Sequence, residues 1–401
     1  MGNLFRRYWI PCALSEELPE PDGAPVRVRL LGEDLIAYRD TSGKIGLVSA
    51  FCPHRRAPMF FGRNEEGGVR CVYHGWKFDR AGTCVDMPSE PPDSLFKTKV
   101  TIEAYPTWEG GGLVWAYLGP AELQPPPPDH ELVRAPASNR YVSKTFQDCN
   151  FLQALEGGID PTHATIMHNM SIGDRSFLSD FDTLVAAMDI EVTDYGFTYA
   201  GIRKHPDFDW IRAYHWILPS YHMRGQLGGL FQRPGQQHTI NGHIWIPQDD
   251  EHTWVFSFMY TADPSEPIVG GYDAETRMGR GANLGPDYKP KRNRSNDYLI
   301  DRHVQKTQTF TGIEGINTQD FALQEGMGPI LDRTKEHVGS TDRAIILLRQ
   351  IFFEQLKLME AGGQLKATDP ASYRKIRAVD RLVPKDRPWK ESVEKDYVAQ
   401  Y

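Results

Sequence analysis

The sequence predicts an α+β protein of two domains: an all-β domain at the N-terminus and a larger α+β domain with an antiparallel sheet. Three observations support this prediction. The chain has 401 residues, which is more than one hydrophobic core usually serves. Its first third alternates short β-like runs with turn residues, whereas the remainder mixes long alternating stretches with helical patterns. Four consecutive prolines, Pro125 to Pro128, lie between these two regions.

The proline run sets the domain boundaries that we predict. Consecutive prolines favour an extended segment without a core of its own. We therefore predict an N-terminal domain over residues 1–123, a proline-rich linker over 124–138 and a second domain over 139–401. Short β-like runs fill the first domain at a spacing of about 8–12 residues, which is typical of a small sandwich or barrel. These runs are residues 26–30, 35–38, 45–48, 68–72, 76–78 and 112–117.

The second domain combines two kinds of pattern. A helical pattern is visible over residues 151–156, and a longer one over 344–359 ends at Gly362-Gly363. Alternating apolar residues predict strands within 210–218, 243–246 and 253–259. The segment from Gly270 to Arg294 is rich in glycine, proline, asparagine and charge, and we predict a long loop there.

Composition excludes several classes of function. The net charge is −8, from 45 Lys and Arg against 53 Asp and Glu, so we expect no nucleic-acid partner and no anionic membrane partner. No apolar run approaches the roughly 20 residues that cross a bilayer. The N-terminus has no apolar stretch of the signal-peptide kind, and the five cysteines are an odd number. These features predict a cytoplasmic enzyme with reduced thiols.

Two pairs of Cys and His form the first chemical motif. Cys52 and His54 are separated by one residue, and Cys71 and His74 by two. A tetrahedral zinc site usually takes its ligands as C-x2–4-C and H-x3–5-H pairs. Here each pair mixes the two ligand types, which favours a Rieske [2Fe–2S] cluster with two thiolates on one iron and two imidazoles on the other. Structural zinc is the alternative.

The second motif contains Asp160, His163 and His168. We expect Gly157-Gly158 and Pro161 to interrupt the helix there, with Asp160 as the N-cap of the next helix and His163 one turn away. Two histidines five residues apart are a weak metal signal on their own, and a surface helix would also explain them. An electron-transfer cluster in the same chain favours Fe(II) held by two His and one carboxylate.

The third ligand of such an iron cannot be chosen by spacing. Asp320 follows a polar loop at the start of a predicted helical segment, which makes it the first candidate. Five other carboxylates in the C-terminal third remain alternatives. They are Asp301, Glu314, Glu325, Asp332 and Asp342.

These motifs resemble the terminal oxygenase (α) subunits of Rieske non-haem iron oxygenases, and in particular the phthalate dioxygenase-like group. The matching segments are Arg7-Tyr-Trp, Cys52-Pro-His54-Arg55, residues 71–78, residues 112–117, Glu156-x3-Asp160-x2-His163-x4-His168 and Gln319-Asp320 through Arg333. The resemblance implies a helix-grip (Bet v1-like) second domain. It also implies that Cys52, His54, Cys71 and His74 bind the cluster and that His163, His168 and Asp320 bind the mononuclear Fe(II).

The resemblance further implies an assembly and a reaction. The family forms α3 trimers, or stacked pairs of trimers, in which the cluster of one subunit lies beside the mononuclear iron of its neighbour. Asp160 would be the carboxylate that bridges the two centres, whereas Glu156 stands where other branches have Asn. The chain has no dinucleotide-binding fingerprint. A separate NAD(P)H-dependent reductase, with flavin and ferredoxin groups, would therefore supply the electrons for O2 activation.

The substrate is the least determined feature. The resemblance implies hydroxylation of an aromatic acid of the phthalate type, with O- or N-demethylation of a substituted aromatic as the alternative. Arg203, Lys204, Arg212 and Arg224 are candidates for binding a carboxylate, although solvated surface positions would also explain them. A Rieske electron carrier without catalysis is a further alternative, which the size of the second domain disfavours.

Overall fold

The computed structural model describes residues 2–168, 186–225 and 237–401. Two compact units divide the chain. The first comprises residues 1–127 together with 246–249, and the second comprises 128–245 and 250–401. The predicted linker over 124–138 is not uniform, because residues 131–134 are helical and Leu132 is fully buried in the second unit.

The regular secondary structure described in the first unit consists of strands and short 3-10 helices. Its strands are β1 (Trp9–Leu14), β2 (Val26–Leu30), β3 (Glu33–Arg39), β4 (Ile45–Ser49), β5 (Arg63–Glu65), β6 (Gly68–Arg70), β7 (Lys77–Asp79), β8 (Cys84–Asp86), β9 (Ala104–Tyr105), β10 (Thr107–Gly110) and β11 (Leu113–Tyr117). They form three antiparallel sheets with the orders β1-β11-β10, β2-β3-β4-β9 and β5-β6-β7-β8. The all-β prediction for the N-terminal domain is confirmed.

One apolar cluster connects two of these sheets. Ile36 and Val48 come from β3 and β4, while Phe78 comes from β7, and each is fully buried. Cys52 and Cys71 belong to the same apolar cluster. Both thiols therefore lie against the core, although each cysteine is next to a short turn. Burial of large apolar side chains is the main stabilising contribution to such a small sheet assembly.

The second unit is built on an antiparallel sheet of eight described strands. They are β12 (Arg140–Gln147), β13 (Ala187–Val192), β14 (Gly196–Lys204), β15 (Asp209–Ile217), β16 (Tyr221–Gly225), β17 (Thr239–Pro247), β18 (Thr253–Thr261) and β19 (Val379–Val383). The order is β12-β18-β17-β16-β15-β14-β13, and β19 pairs with β15. The α+β prediction for this domain, with an antiparallel sheet, is confirmed.

Eight described α-helices accompany this sheet. They are α1 (Glu131–Arg134), α2 (Phe151–Ile159), α3 (His163–Ile166), α4 (Gly271–Arg277), α5 (Arg302–Thr307), α6 (Ile316–Gly326), α7 (Arg343–Glu360) and α8 (Trp389–Val393). The long C-terminal helix is confirmed, and the chain leaves it through Gly362 at a φ of 74°. In the described part of the chain, no helix has the length and apolar character that a membrane crossing requires.

The predicted loop over 270–294 is wrong in part. Residues 271–277 form α4, whose buried Glu275 receives two hydrogen bonds of 2.5 Å from Arg280. Both side chains are nearly inaccessible, at 1 % and 4 % exposure. Polar residues of this segment thus form a buried ion pair. Local hydropathy alone does not distinguish such a pair from the charged residues of a solvated loop.

One side of the large sheet faces the helices. Tyr199 on β14 donates to the carbonyl of Ile159 in α2, and Trp216 on β15 packs edge-on against Phe352 in α7. Since side chains alternate along a strand, residues at even spacing from these share the helix-facing side. Cross-strand register places Arg224 opposite both Tyr214 and Asn241 on this side.

The glycine pair after Glu156 does not break α2, contrary to the sequence-based expectation. The helix continues through Gly157 and Gly158 to Ile159. A Cβ atom on Gly157 would lie 2.1 Å from the side-chain Nε2 of Gln324 in α6. A Cβ atom on Gly158 would lie 2.2 Å from the Trp245 ring. These glycines therefore allow α6 and the sheet to approach α2 closely.

Candidate metal centres

Two similar turns carry the Cys and His pairs of the first unit. In one turn the amide of Arg56 donates to the carbonyl of Cys52 at 2.9 Å, and in the other Gly75 donates to Cys71 at the same distance. Arg56 and Gly75 both have a positive φ, of 61° and 82°. Each turn thus reverses within four residues and directs its Cys and His side chains to one region.

The side chains of these turns suit a two-iron cluster. The rings of His54 and His74 lie 4.4 Å apart, and Trp76 stacks on His54 at 4.4 Å. The Nδ1 atom of His54 is buried and has no hydrogen-bond partner among the described residues. Cys52 and Cys71 are 1 % and 3 % exposed. Two buried thiols and two adjacent imidazoles, one with a ring nitrogen that has no described partner, fit the Rieske arrangement.

Burial favours the protonated form of the Cys52 thiol. It raises the pKa of Cys52 to about 11, and the neighbouring Cys71 contributes to this shift. A metal ligand must be a thiolate, so cluster assembly has to remove the proton that burial favours. The other cysteines, Cys12, Cys84 and Cys149, are also buried free thiols.

In the second unit, three potential ligands converge. One ligand atom from each of His163, His168 and Asp320 lies within 4.8 Å of the others. The Nε2 atom of His163 is 3.5 Å from Oδ1 of Asp320, and Nε2 of His168 is 3.4 Å from the same oxygen. Ligands bound at about 2.0–2.2 Å to one divalent ion at right or tetrahedral angles lie about 3.0–3.5 Å apart. The three side chains therefore fit a single metal ion.

The electrostatics of this group favour a cation. Burial opposes ionisation of Asp320, but its contacts with His163 and His168 hold the pKa of the carboxyl well below its usual value. Burial likewise opposes a charge on His163, whereas Asp160 and Asp320 outweigh it and raise its pKa to about 9. Both pKa shifts show that positive charge is stabilised between the carboxylates of Asp160 and Asp320. A bound metal ion would supply that positive charge, as a proton on His163 does.

Helix packing brings Asp320, one of the six candidate carboxylates, next to the two histidines. Gln153 of α2 donates to the carbonyl of Gln324 in α6 at 2.8 Å, so these helices are joined one turn beyond Asp320. The other five carboxylates lie in different contacts. Asp301 caps α5, Glu314 pairs with Arg292, Glu325 accepts from Tyr298, Asp332 accepts from Thr334, and Asp342 accepts from Gly339.

Asp160 lies beside His163, as the spacing predicts, but α3 begins later than expected. One Asp160 oxygen accepts from the amide of Thr162 at 2.7 Å, and the other lies 3.3 Å from Nδ1 of His163. The helix starts at His163 with Thr162 in the cap position. Asp160 therefore caps the turn that precedes α3 and also contacts the ring nitrogen of His163.

Sequence reasoning assigned no role to Gln319, which contacts the other histidine. Its Oε1 atom lies 2.8 Å from Nδ1 of His168. The only signal in the sequence is its position directly before Asp320, and such a position does not predict which way a side chain points. Both histidines thus have a polar partner at Nδ1 and present Nε2 to Asp320.

The structure gives Glu156 a contact role away from the metal-binding group. Both of its oxygens accept from Arg333, at 3.0 and 2.8 Å, and Arg349 of α7 donates to one of them at 2.6 Å. Glu336 in turn accepts from Arg349 at 2.9 Å. This network of four charges joins α2, which precedes the His163 segment, to α7.

We expect Glu156→Gln to lower the free energy of unfolding of the second unit by about 1–3 kcal/mol, because two arginines lose their shared carboxylate. Glu314→Gln is the matched control, since Glu314 is exposed and pairs with Arg292 at the surface; such pairs contribute little. Thermal and urea unfolding would measure both variants. Equal stability of Glu156→Gln and the unsubstituted protein would contradict the role assigned to this network.

The four candidate carboxylate-binding residues have different surroundings in the described part of the chain. Lys204 is exposed. Arg203 is buried and donates to the carbonyl of Pro161. Arg212 lies 3.2 Å from Asp380. Among the described residues, the hydrogen-bond partners of Arg224 are neutral: Nε donates to Oδ1 of Asn241 at 2.7 Å, and Nη2 lies 3.1 Å from Nε2 of His243.

Charged side chains of both signs act on Arg224. Burial lowers its pKa to about 10, with further lowering by Arg212 and Arg280, although the charge of Asp320 acts in the opposite direction. Burial also lowers the pKa of His243 well below its usual value, so this ring is neutral. Arg224 is therefore charged at neutral pH beside a neutral imidazole, and an additional anion would be stabilised there.

Comparison with known proteins gives two family matches. Residues 8–106 match the Rieske [2Fe-2S] domain, and residues 116–400 match the family described as LigXa C-terminal domain like. The first match supports the iron–sulfur interpretation of the Cys and His pairs over the zinc alternative. The second covers most of the second unit, including the segments that carry both histidines and Asp320.

Several curated relatives align over nearly the whole chain. The oxygenase subunit of phthalate 4,5-dioxygenase from Pseudomonas putida is 36% identical, with 100% of this chain and 92% of the relative covered. That of 3-chlorobenzoate-3,4-dioxygenase from Comamonas testosteroni is also 36% identical, with 98% and 94% covered. The oxygenase subunit of 5,5'-dehydrodivanillate O-demethylase from a Sphingobium species is 33% identical, with 94% and 82% covered.

Solved structures share the fold at lower identity. Dicamba monooxygenase bound to dicamba superposes with a TM-score of 0.64 at 20% identity, and the alignment covers 89% of this chain and 99% of that chain. The order of an all-β unit followed by an α+β unit with an antiparallel sheet is therefore shared with a known structure.

Proposed function

Because the chain belongs to the Rieske non-haem iron oxygenases, as an oxygenase subunit of the phthalate dioxygenase-like group, we propose that it hydroxylates an aromatic carboxylate. It is an oxidoreductase that uses O2 and carries a Rieske [2Fe–2S] cluster and a mononuclear iron. The observation that carries the proposal is the convergence of two histidines and one carboxylate in the unit that follows the cluster domain.

We assign each centre to its ligands. The cluster is assigned to Cys52, His54, Cys71 and His74, and the mononuclear iron to His163, His168 and Asp320. Two His and one carboxylate leave coordination positions open, so the bound metals supply the electron transfer and the O2 activation. The surrounding protein orients the ligand rings: Asp160 holds His163, and Trp76 covers one face of His54.

The charge near Arg224 supports a carboxylate substrate. Arg224 has two neutral hydrogen-bond partners, and it lies close enough to Asp320 for that carboxylate to affect its pKa. A substrate carboxylate on Arg224 would lie on the side of the sheet that faces α2, the helix that precedes the His163 segment. Flat rings lie next to it on the helix-facing side, since Tyr214 stacks on Tyr199 at 4.6 Å and on His222 at 5.6 Å. Such surfaces suit an aromatic ring.

Demethylation of a methoxylated or substituted aromatic is the second candidate reaction. It is favoured by the 33% identity to an O-demethylase oxygenase subunit. The same metal site and the same arginine would serve either reaction. The outcome would depend on which carbon of the substrate is held next to the mononuclear site.

We propose that the active form contains several copies of this chain, as a homotrimer or a stacked-trimer hexamer. Exposed apolar side chains border the cluster turns: Phe61 is 62 % exposed, Val72 57 % and Tyr73 58 %. Surfaces of this kind usually contact another protein. A neighbouring copy would bring its cluster to Asp160, whose side chain is 23 % exposed.

The electrons for the reaction come from another component. The relatives at 36% identity are named as oxygenase subunits, which supports a multicomponent system. We propose a separate NAD(P)H-dependent reductase with flavin and ferredoxin groups. We also propose a cytoplasmic location, which the five free thiols support.

The proposed function is tested by a substrate screen with a surrogate reductase and with Arg224 variants. Aromatic acids, their methyl esters and methoxyarenes would be scored for dihydrodiol, phenol and formaldehyde. We expect turnover of at least one aromatic acid. We expect Arg224→Leu to raise KM for that acid about 10–100-fold, because a charge-assisted hydrogen bond contributes about 1.5–3 kcal/mol.

Two controls separate charge recognition from general damage. Arg224→Lys keeps the positive charge and should retain part of the affinity, whereas the methyl ester of the substrate should be equally poor with each variant. If no aromatic acid is oxidised but a neutral methoxyarene is, the carboxylate proposal is wrong and demethylation is favoured. If Arg224→Leu changes KM for acid and ester alike, Arg224 does not bind the carboxylate.

A further inference from the structure

The amide of Gln319 has a polar partner at each end. Gln319 lies in the first turns of α6 and is 1 % exposed. Its Oε1 atom is 2.8 Å from Nδ1 of His168, and its Nε2 atom donates to the carbonyl of Ile313 at 2.8 Å. Both contacts are short enough for good hydrogen bonds.

Hydrogen-bond chemistry then determines the protonation pattern of the His168 ring. A backbone carbonyl only accepts, so the NH2 group of Gln319 must face Ile313 and its oxygen must face His168. The amide oxygen also only accepts, so Nδ1 of His168 must carry the hydrogen. The lone pair of the neutral ring is consequently on Nε2, the atom that lies 3.4 Å from Asp320.

We propose that Gln319 is a positioning residue that fixes the tautomer and the ring orientation of His168 for metal binding. The inference rests on the proposed function, because it takes His163, His168 and Asp320 as the metal ligands. It also makes the two histidines different: His163 has the carboxylate of Asp160 at Nδ1, whereas His168 has a neutral amide. Partners of this kind orient a ligand and adjust its basicity.

The acceptor for Gln319 is itself held in place. Ile313 is buried at 8 % exposure, and the chain turns into α6 at Gly315 with a φ of 89°. A Cβ atom on Gly315 would lie 2.8 Å from the Cα of Gly279, so the backbone there is tightly packed. The backbone N–H of Gln319 donates to the carbonyl of Gly315 at 3.0 Å. The side chain therefore extends from a rigid turn.

The test measures metal affinity instead of turnover. The mononuclear site would be depleted with a chelator that leaves the cluster intact, and Fe(II) would be titrated back in competition with a chromogenic chelator. Gln319→Leu keeps the approximate volume and removes the acceptor, so we expect Fe(II) to bind about 10–100-fold more weakly. Gln319→Glu keeps an acceptor for Nδ1 and should bind Fe(II) more tightly than Gln319→Leu.

Gln355→Leu is the matched control. Gln355 is a buried glutamine on α7, and its oxygen accepts from the amide of Lys366 at 2.8 Å, so its loss costs a comparable hydrogen bond far from the ligands in sequence. We expect it to leave Fe(II) affinity unchanged. If Gln319 had a purely structural role, a buried leucine would be tolerated better than a buried glutamate. The order of the Fe(II) affinities of Gln319→Leu and Gln319→Glu therefore distinguishes a structural role from a positioning role.

Two outcomes would overturn the inference about Gln319. One is an Fe(II) affinity of Gln319→Leu within about twofold of the unsubstituted protein, against the 10-fold minimum expected. The other is tighter binding by Gln319→Leu than by Gln319→Glu. Failure of the proposed function would look different: the unsubstituted protein would then bind no Fe(II) beyond its cluster, or His163→Ala would retain that Fe(II).

Discussion

Asp320→Ala is expected to abolish hydroxylation and to remove one iron from each chain. The unsubstituted protein should contain about three irons per chain, two in the cluster and one in the mononuclear site. Asp320 is the carboxylate that lies within 3.5 Å of both histidines. Removing it leaves two neutral imidazoles, which hold Fe(II) poorly. Iron analysis, acid-labile sulfide and the visible absorption of the cluster would be measured together.

Asp301→Ala is the control for this experiment. Asp301 is one of the alternative carboxylates, and its side chain accepts from two amides at the start of α5. Its loss should cost roughly 1 kcal/mol of stability, as for other helix caps, and leave the iron content unchanged. If Asp320→Ala keeps the full iron content, or if Asp301→Ala loses one iron, the assignment of the third ligand is wrong.

Asp160→Asn is expected to keep both metal centres and to slow turnover by at least about 10–100-fold. Asparagine preserves the shape of the side chain and its contact with the amide of Thr162, but it removes the negative charge 3.3 Å from Nδ1 of His163. If Asp160 connects the cluster of one copy to the mononuclear site of another, the reduced cluster should be re-oxidised more slowly. Stopped-flow absorption of the reduced protein, mixed with O2 and substrate, would measure that rate.

Asp332→Asn provides the comparison for Asp160→Asn. Asp332 accepts from the amide of Thr334 in a similar local turn and does not contact His163 or His168. Its substitution should leave re-oxidation of the cluster unchanged. Equal rates for Asp160→Asn and the unsubstituted protein would reject the bridging role, and loss of the mononuclear iron would instead make Asp160 a residue required for metal retention.

Part of the fold could be predicted because its signals are local. Strands β2, β3, β4, β6, β7 and β11 of the first unit and helix α7 lie where the apolar patterns predict them, since a buried side requires apolar residues at the period of the element. The glycine pair of α2 and the segment 270–294 were harder to predict from the sequence. Gly157 and Gly158 serve close packing with Gln324 and Trp245, which are distant in sequence, so their local reading as helix breakers is wrong.

The sequence by itself favoured the two types of iron centre, with structural zinc as the alternative for the first and a surface helix as the alternative for the second. Cys52 with His54 and Cys71 with His74 each lie within one tight turn, and backbone geometry over two or three residues already brings such side chains together. The separation of His163 from Asp160 is likewise short, and the turn that precedes α3 brings the two side chains together. Chemistry of this kind is visible in a sequence because the ligands need few intervening residues.

Only the tertiary structure decided the choices that depend on distant residues. Of the six candidate carboxylates, Asp320 lies beside both histidines because α6 packs against α2, and Gln319 contacts His168 from the same helix. Arg224 differs from the other candidate cations because strand β17 places the neutral side chains of Asn241 and His243 beside it. The reason is physical: a sequence specifies short-range geometry directly, whereas contacts between distant segments depend on how the whole core packs.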